Sequence, residues 1–243
     1  MIKRGEKMNY GAVSIPGKVR EKNEDNYLVL DREEYQIVAV ADGMGGHKAG
    51  DVASSIAIEV IKNYTFKVDN IIESIRDCIK VANQKILVKS RNNPEYNGMG
   101  TTLTLGLVSN NQLVLGHIGD SRAYLYHNDS LTQLTEDHSY VADLLRKGVI
   151  TEEEAEGHPK KNLLLRALGL EEDIEVDISE YKLSSEDLLL LCSDGLTNMR
   201  TDGQIISILK ESLSIEEKVN NLSKDANAAG GYDNITVVLY QNN

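Results

Sequence analysis

Apolar residues recur along the chain with two distinct periods, and the changes between them outline its elements. Period-two alternation or short continuous apolar runs predict strands at Tyr35–Ala41, Thr102–Val108, Gln112–Ile118, Arg122–Tyr126, Ile174–Ile178, Leu188–Cys192 and Ile235–Tyr240. Ser109-Asn110-Asn111 and Asn128-Asp129 are turn chemistry, so the strands in the middle of the chain should pair as antiparallel hairpins. Helical spacing appears four times. It links Ala53, Ile56, Ala57, Val60 and Ile61, then Ile71, Ile75, Cys78, Ile79, Ala82 and Ile86. Further on it links Ile205, Ile208 and Leu209, and then Val219, Leu222 and Ala226. Thr151 with Glu154 three positions later matches a capping box and should open a short helix. Pairs of helices on either side of a block of strands favour an α+β fold, antiparallel sheets covered by helices, over a repeating βαβ unit. No internal repeat, low-complexity tract or linker interrupts the pattern, so residues 1–243 read as one domain.

Composition refines this outline. With 41% apolar and 26% charged residues the chain is ordinary globular material, and 243 residues can bury a core without disulfides. One Phe and no Trp require an aliphatic core, with eleven Tyr as the aromatic supply. Cys78 lies on a helical stripe and Cys192 ends a leucine run, so both read as small buried hydrophobes. The start Met1-Ile2-Lys3-Arg4 lacks a secretory apolar run, and no stretch approaches the ~20 apolar residues of a membrane span, which points to the cytoplasm. Thirty-eight acids against 26 bases give a net charge of −12. Such a surface repels nucleic-acid backbones and anionic lipid, so neither is an expected partner, but it does not repel metal cations.

The acids that matter sit at strand ends. Asp42-Gly43, Gly119-Asp120 and Asp194-Gly195 follow predicted strands, Asp233-Asn234 precedes one, and Glu24-Asp25 precedes the apolar stretch Tyr27–Leu30. A single Asp-Gly after a strand is most often only a turn. Five acidic sites at strand ends are different, because strands of one sheet can place those ends side by side. Carboxylates gathered without Lys or Arg repel one another unless they are protonated or bind a cation. Hard divalent ions with oxygen ligands suit them, and glycine at 43 would let a backbone carbonyl approach the ion. Five scattered His and no Cys-x-x-Cys argue against structural zinc and for Mg²⁺ or Mn²⁺. Arg20 stands four residues before Glu24, and its guanidinium could fork onto phosphate; a surface arginine or a salt bridge to a nearby acid is the alternative.

Together these segments resemble the metal-dependent protein phosphatases, the type 2C Ser/Thr family, and in particular its short bacterial branch. Seven stretches carry the resemblance in order: Arg20-x-x-Asn23-Glu24-Asp25, Asp42-Gly43-Met44-Gly45-Gly46-His47, Gly100-Thr101-Thr102, Gly116-His117-Ile118-Gly119-Asp120-Ser121-Arg122, Asp137-His138-Ser139, Ser193-Asp194-Gly195-Leu196 and Asp233-Asn234-Ile235-Thr236. The resemblance implies a β-sandwich of two antiparallel sheets flanked by paired helices, with a binuclear Mn²⁺ or Mg²⁺ centre at one end. It implies that phosphoserine and phosphothreonine in proteins are hydrolysed by a metal-activated water.

Carried over by position, Asp42 would bridge both ions, Gly43 would offer its carbonyl to one, and Asp194 with Asp233 would complete the other. Glu24 would hold metal-bound waters with Asp25 behind it, and Arg20 would clamp the phosphate. Asp120 with Asp194 matches a third metal site of bacterial relatives. Asn198 stands there in place of a frequent acid, so that site should be weaker. Animal members carry a His soon after the Asp-Gly, whereas this chain has Met44 there and His47 further on. His47 serves as general acid only if the glycine turn brings it to the leaving oxygen; a structural role, with water as the acid, is the other reading. The segment from Arg146 to Gly169, with Lys147, Lys160, Lys161 and Arg166, would form a flap that touches substrate, or else a solvated basic stretch. The expected partners are phosphoproteins made by a Ser/Thr kinase, with the phosphatase itself a monomer.

Other chemistries fit less well. Cysteine phosphatases need Cys-x₅-Arg, but Gln84 and Asn198 follow the two cysteines at that spacing. Gly43-Met44-Gly45-Gly46-His47-Lys48 lacks the third glycine of a dinucleotide fingerprint and the Gly-Lys-Ser/Thr of a P-loop. A metal-dependent hydrolase of small phosphoesters and a non-catalytic metal- or phosphate-binding relative remain as alternatives.

Overall fold

A computed structural model describes residues 9–45 and 49–242 of the chain. Two antiparallel sheets stack face to face. The first comprises β1 (Tyr10–Ile15), β7 (Arg122–His127), β8 (Ser130–Gln133), β10 (Leu188–Cys192) and β11 (Ile235–Gln241), ordered β1-β11-β10-β7-β8. The second comprises β2 (Asp25–Asp31), β3 (Gln36–Met44), β5 (Leu103–Ser109), β6 (Gln112–Ile118) and β9 (Asp177–Lys182), ordered β2-β3-β5-β6-β9, with the short β4 (Gly100–Thr101) on the end of β3. Against the second sheet lie α1 (Ala49–Asn63) and α2 (Ile71–Arg91). Against the first lie α5 (Asp194–Thr197), α6 (Asp202–Leu209) and α7 (Ile215–Ala228). Between β8 and β9 run α3 (Tyr140–Arg146) and α4 (Glu152–Glu156), the latter opened by the expected Thr151–Glu154 capping box.

The two-residue period of a strand explains why three cores suffice for four layers. Ile37, Ala39 and Ala41 of β3 face the α1–α2 layer, while Val38 and Val40 face the opposite sheet. In β10, Leu188, Leu190 and Cys192 meet the α6–α7 layer and Leu189 and Leu191 fill the middle. A strand buried on both faces reads as a continuous apolar run, as Leu188–Cys192 does. Cys78 and Cys192 are both buried free thiols, as their apolar surroundings suggested.

The hairpin turns follow from their side chains. Asn110 and Asn111 have φ of 50° and 61°, and Asn128 and Asp129 have 48° and 60°. Two consecutive left-handed residues match the right-handed twist of the strands they join, and Asn and Asp tolerate that conformation best after glycine. One strand lies elsewhere than Ile174–Ile178: pairing with β6 begins at His117↔Asp177. Since β6 ends at Ile118, residues before 177 have little strand left to pair with, and Ile174 and Val176 pack into the helix-side core instead. Among the described residues no helix is long and apolar enough to cross a membrane.

Candidate metal centre

The connections at one pole of the sandwich carry the acids. Asp25 and Asp42 are cross-strand partners of β2 and β3. Asp120 follows β6, and Asp233 stands two residues before β11. Asp42 does not end its strand, which continues to Met44 through the pairing Gly43↔Thr101 and Met44↔Gly100. Asp194 opens helix α5 directly after β10 and Ser193.

Hydroxyls and amides hold these acids in place. The backbone N–H of Asp42 donates to Thr102 Oγ1 at 2.9 Å, and its carbonyl accepts from Thr101 Oγ1 at 2.9 Å. Thr102 Oγ1 in turn meets Ser121 Oγ at 2.8 Å, so a single hydrogen-bonded chain runs from Asp42 to the neighbour of Asp120. On the other side Asp25 is buried, its Oδ2 accepting from Ser193 Oγ and Thr236 Oγ1, each at 2.7 Å. Asn234 accepts from the N–H of Glu24 at 2.8 Å and donates to the carbonyls of Pro16 and Lys22. The motif residues Asn23, Thr101, Thr102, Ser121, Ser193, Asn234 and Thr236 had only a sequence pattern to recommend them; each now has a partner.

Glycine at 43 serves packing as well as any ligand. A Cβ there would lie 2.2 Å from the carbonyl oxygen of Gly50 and 2.5 Å from that of Glu24, so α1 and the start of β2 close directly onto its backbone. The carbonyl of Glu24 accepts from Gly43 N–H at 3.2 Å and from Ser54 Oγ at 2.6 Å.

The acids feel one another. Burial, then the charges of Asp25, Asp194, Asp120 and Asp233, hold the Asp42 carboxyl well above the usual range. Burial followed by Asp120 and Asp233 pushes Asp194 up to about 8. Burial raises Asp25 to about 6 against the pull of the Ser193 and Thr236 hydroxyls, and burial with Asp137 raises Asp120 to about 6. Glu24 is raised too, chiefly by burial, with Arg20 opposing.

Arg20 is a cation on this pole: its Nη2 donates to Asp233 Oδ2 at 2.8 Å, the salt bridge anticipated as its alternative role. Asn198 turns its amide, not its carbonyl, toward Asp194, with Nδ2 donating to Oδ2 at 2.9 Å. His47 lies outside the described residues. Of the basic flap residues, Lys147 pairs with Asp143 at 2.7 Å, Lys160 stands 5.1 Å from the Tyr140 ring centre, and Arg166 pairs with Asp177 at 2.7 Å.

These residues fit divalent cations on two observations. Asp25 Oδ1 and Asp194 Oδ1 are buried and have no hydrogen-bond partner, although buried polar atoms are almost always paired. The surrounding carboxylates are crowded enough to hold protons, a state that bound cations relieve. Among the described residues no three acids, histidines or cysteines close on a single point. Mg²⁺-type sites need no such shell, since one or two carboxylates and several waters complete them.

One arrangement escaped the sequence. His138 Nδ1 accepts from the N–H of Gly119 at 3.0 Å, its Nε2 meets Asp177 Oδ2 at 3.0 Å, and Asp177 also takes Arg166. This network straps the turn before Asp120 to the segment that carries Arg166. Only the Asp137-His138-Ser139 motif hinted at it. His117, stacked 4.8 Å from His138, is kept neutral by burial, which lowers it to about 4.

Two antiparallel sheets between helix layers, with acids collected at one pole, define an α+β sandwich. Residues 18–239 match the family described as Protein phosphatase 2C, and the chain belongs to it. It is 44% identical over 234 residues to the serine/threonine phosphatase stp of Listeria welshimeri, covering 93% of both chains. The S. agalactiae serine/threonine phosphatase structure superposes with a TM-score of 0.91 at 31% identity, covering 96% of this chain and 99% of that one. The catalytic domain of the phosphatase PstP, solved in complex with two manganese ions, gives 0.86 at 36% identity, with 96% of each chain covered.

Proposed function

We propose that the acidic pole is the catalytic centre of a metal-dependent protein phosphatase that hydrolyses phosphoserine and phosphothreonine. The observation that carries this reading is the pair of buried, unpartnered carboxylate oxygens on Asp25 and Asp194 within a cluster that also holds Asp42, Asp120 and Asp233. The relatives named above, 31–44% identical over nearly the whole chain, support the activity. Asp42, the Gly43 carbonyl, Asp194 and Asp233 would hold two Mn²⁺ or Mg²⁺ ions, with Glu24 ordering waters beside them. Asp120 and Asp194, with Asn198 nearby, would offer a weaker third position. When bound, such ions supply a hydroxide nucleophile at neutral pH and counter the charge that develops on the phosphoryl group.

The protein's own residues do the rest. Asp25, directly across from Asp42 on the neighbouring strand, is a buried anchor tied to Ser193 and Thr236. Thr101 and Thr102 hold the Asp42 backbone, so its carboxyl can be aimed without reorganisation during reaction. Arg20 uses Nη2 on Asp233 and has further guanidinium N–H groups for phosphate oxygens. In this reading residues 1–243 act as one catalytic unit on phosphoproteins made by a Ser/Thr kinase.

The test is hydrolysis of a phosphothreonine peptide with Mn²⁺, with Mg²⁺ and with chelator. Chelation should abolish turnover. Asp42→Asn should lower kcat about 1,000-fold, since several kcal/mol of charge stabilisation depend on the ions it holds. Arg20→Ala should raise KM about tenfold, the size of one charge-assisted hydrogen bond. Full activity of Asp42→Asn in Mn²⁺ would refute the centre, and an unchanged KM would remove Arg20 from the phosphate site.

A further inference from the structure

Two exposed apolar residues are the chain neighbours of the proposed phosphate clamp. Val19 is 60% exposed and Tyr232 is 64% exposed, and each immediately precedes one partner of the Arg20–Asp233 bridge. Their loops are locked together. The N–H of Lys18 donates to the carbonyl of Gly231 at 2.7 Å, and a Cβ on Gly17 would lie 2.2 Å from the Asp233 carbonyl oxygen. Gly17 and Gly231 reach this approach with φ of 76° and 57°, open to glycine at little cost. The Tyr232 ring is also backed: a Cβ on Gly230 would meet its Cε2 at 2.7 Å and Met199 Sδ at 3.1 Å. Ring and thioether therefore converge on one glycine and leave the rest of the ring to solvent.

We propose that Val19 and Tyr232 form an apolar pincer for the residues next to the phosphoresidue, so that the enzyme favours phosphopeptides with aliphatic or aromatic neighbours over polar ones. The inference rests on the placement of phosphate at Arg20. Continuity with that clamp identifies the occupant. Neighbouring residues of a peptide are about 3.8 Å apart at Cα, and positions 19 and 232 are one residue from the two ends of the bridge. The Lys18–Gly231 hydrogen bond at 2.7 Å and the bridge at 2.8 Å hold both positions on the loops that carry the clamp, within reach of the residues that flank a phosphate at Arg20. Lys18 and Lys22 stand on the same loop as Val19 and Arg20, so apolar preference is read from peptides that differ in apolar character and not in charge.

The experiment compares kcat/KM, in Mn²⁺, for two phosphothreonine peptides identical except for Leu or Ser on both sides of the phosphoresidue. The native enzyme should favour the Leu peptide about tenfold, the worth of one good apolar contact. Combined Val19→Ser and Tyr232→Ser should bring the ratio to within about twofold of unity, while Val19→Ile with Tyr232→Phe should retain it. The ratio is internal, because general damage to the site slows both peptides alike. A native ratio near one, or a ratio unchanged in the serine pair, overturns the pincer. An unchanged KM in Arg20→Ala would instead overturn the phosphate placement, and that result is read independently of the peptide pair.

Discussion

A missing β-carbon holds the centre together at the residue scale. Gly43 lies between Gly50 of α1 and Glu24 at the entry to β2, and neither backbone can retreat without moving its element. Gly43→Ala should therefore cost about 1–3 kcal/mol in stability, as overpacking does, and should weaken Mn²⁺ binding because Asp42 and Glu24 move with the backbone. Denaturant unfolding and calorimetric Mn²⁺ titration check both; a stable variant with native affinity would show that the wedge is soft. The acids were legible in the sequence only as a set, since one Asp-Gly reads as a turn whereas five acidic sites near strand ends do not. Their supports were not. Ser14 and Thr236 share a 2.7 Å hydrogen bond across 222 positions, and a hydroxyl has neither period nor charge to announce such a partner. Glycine at 43 was legible as special, but the sequence pointed to carbonyl access and could not show the helix closing onto it.

At the scale of elements, what could be read depended on how much of each element's stability is local. β5, β6, β10 and β11 pack apolar residues on both faces and appeared as runs; α1 and α2 showed full stripes. β1 did not appear, because it is half-buried, contains Gly11 and pairs only with β11 at the far end of the sequence. β8, Ser-Leu-Thr-Gln, is polar and exists because the Asn128-Asp129 turn folds it back on β7. The last helix, by contrast, carries its own start signal. Ser214 Oγ accepts from the N–H of Glu217, whose carboxylate accepts from the N–H of Ser214. Ser214→Ala should lower unfolding free energy by about 1 kcal/mol, the usual worth of an N-cap. Ser214 stands at the opening of α7, a whole helix away from Ala228, the end that meets Lys18 and leads to Asp233, so kcat should stay native; a changed kcat with unchanged stability would refute this division.

On the scale of the whole molecule, the fold stores unfavourable charge at one pole, and the sign of its pH dependence follows. An unfolded Asp titrates at about 3.9, whereas Asp194 is held at about 8 and Asp42 well above its ordinary value, first by burial and then by neighbouring acids. Between those limits the folded, cation-free protein binds more protons than the unfolded chain, so its stability falls as pH rises. His117, lowered to about 4 by burial and His138, acts in the opposite sense, because an unfolded histidine takes up a proton that the folded one refuses. That contribution is complete above about pH 6.5, where unfolded histidine is itself neutral, which leaves the window from about pH 7 to 8.5 to the acids. In chelator the unfolding midpoint should drop across this window. Divalent cations need the carboxylates ionised, so Mn²⁺ binding at pH 7 should release protons, and its stabilisation should grow with pH. Calorimetry in two buffers of different ionisation enthalpy measures the released protons directly. A chelated protein equally stable at both ends of the window, or Mn²⁺ binding without proton release, would mean that the pole does not hold its carboxylates in tension.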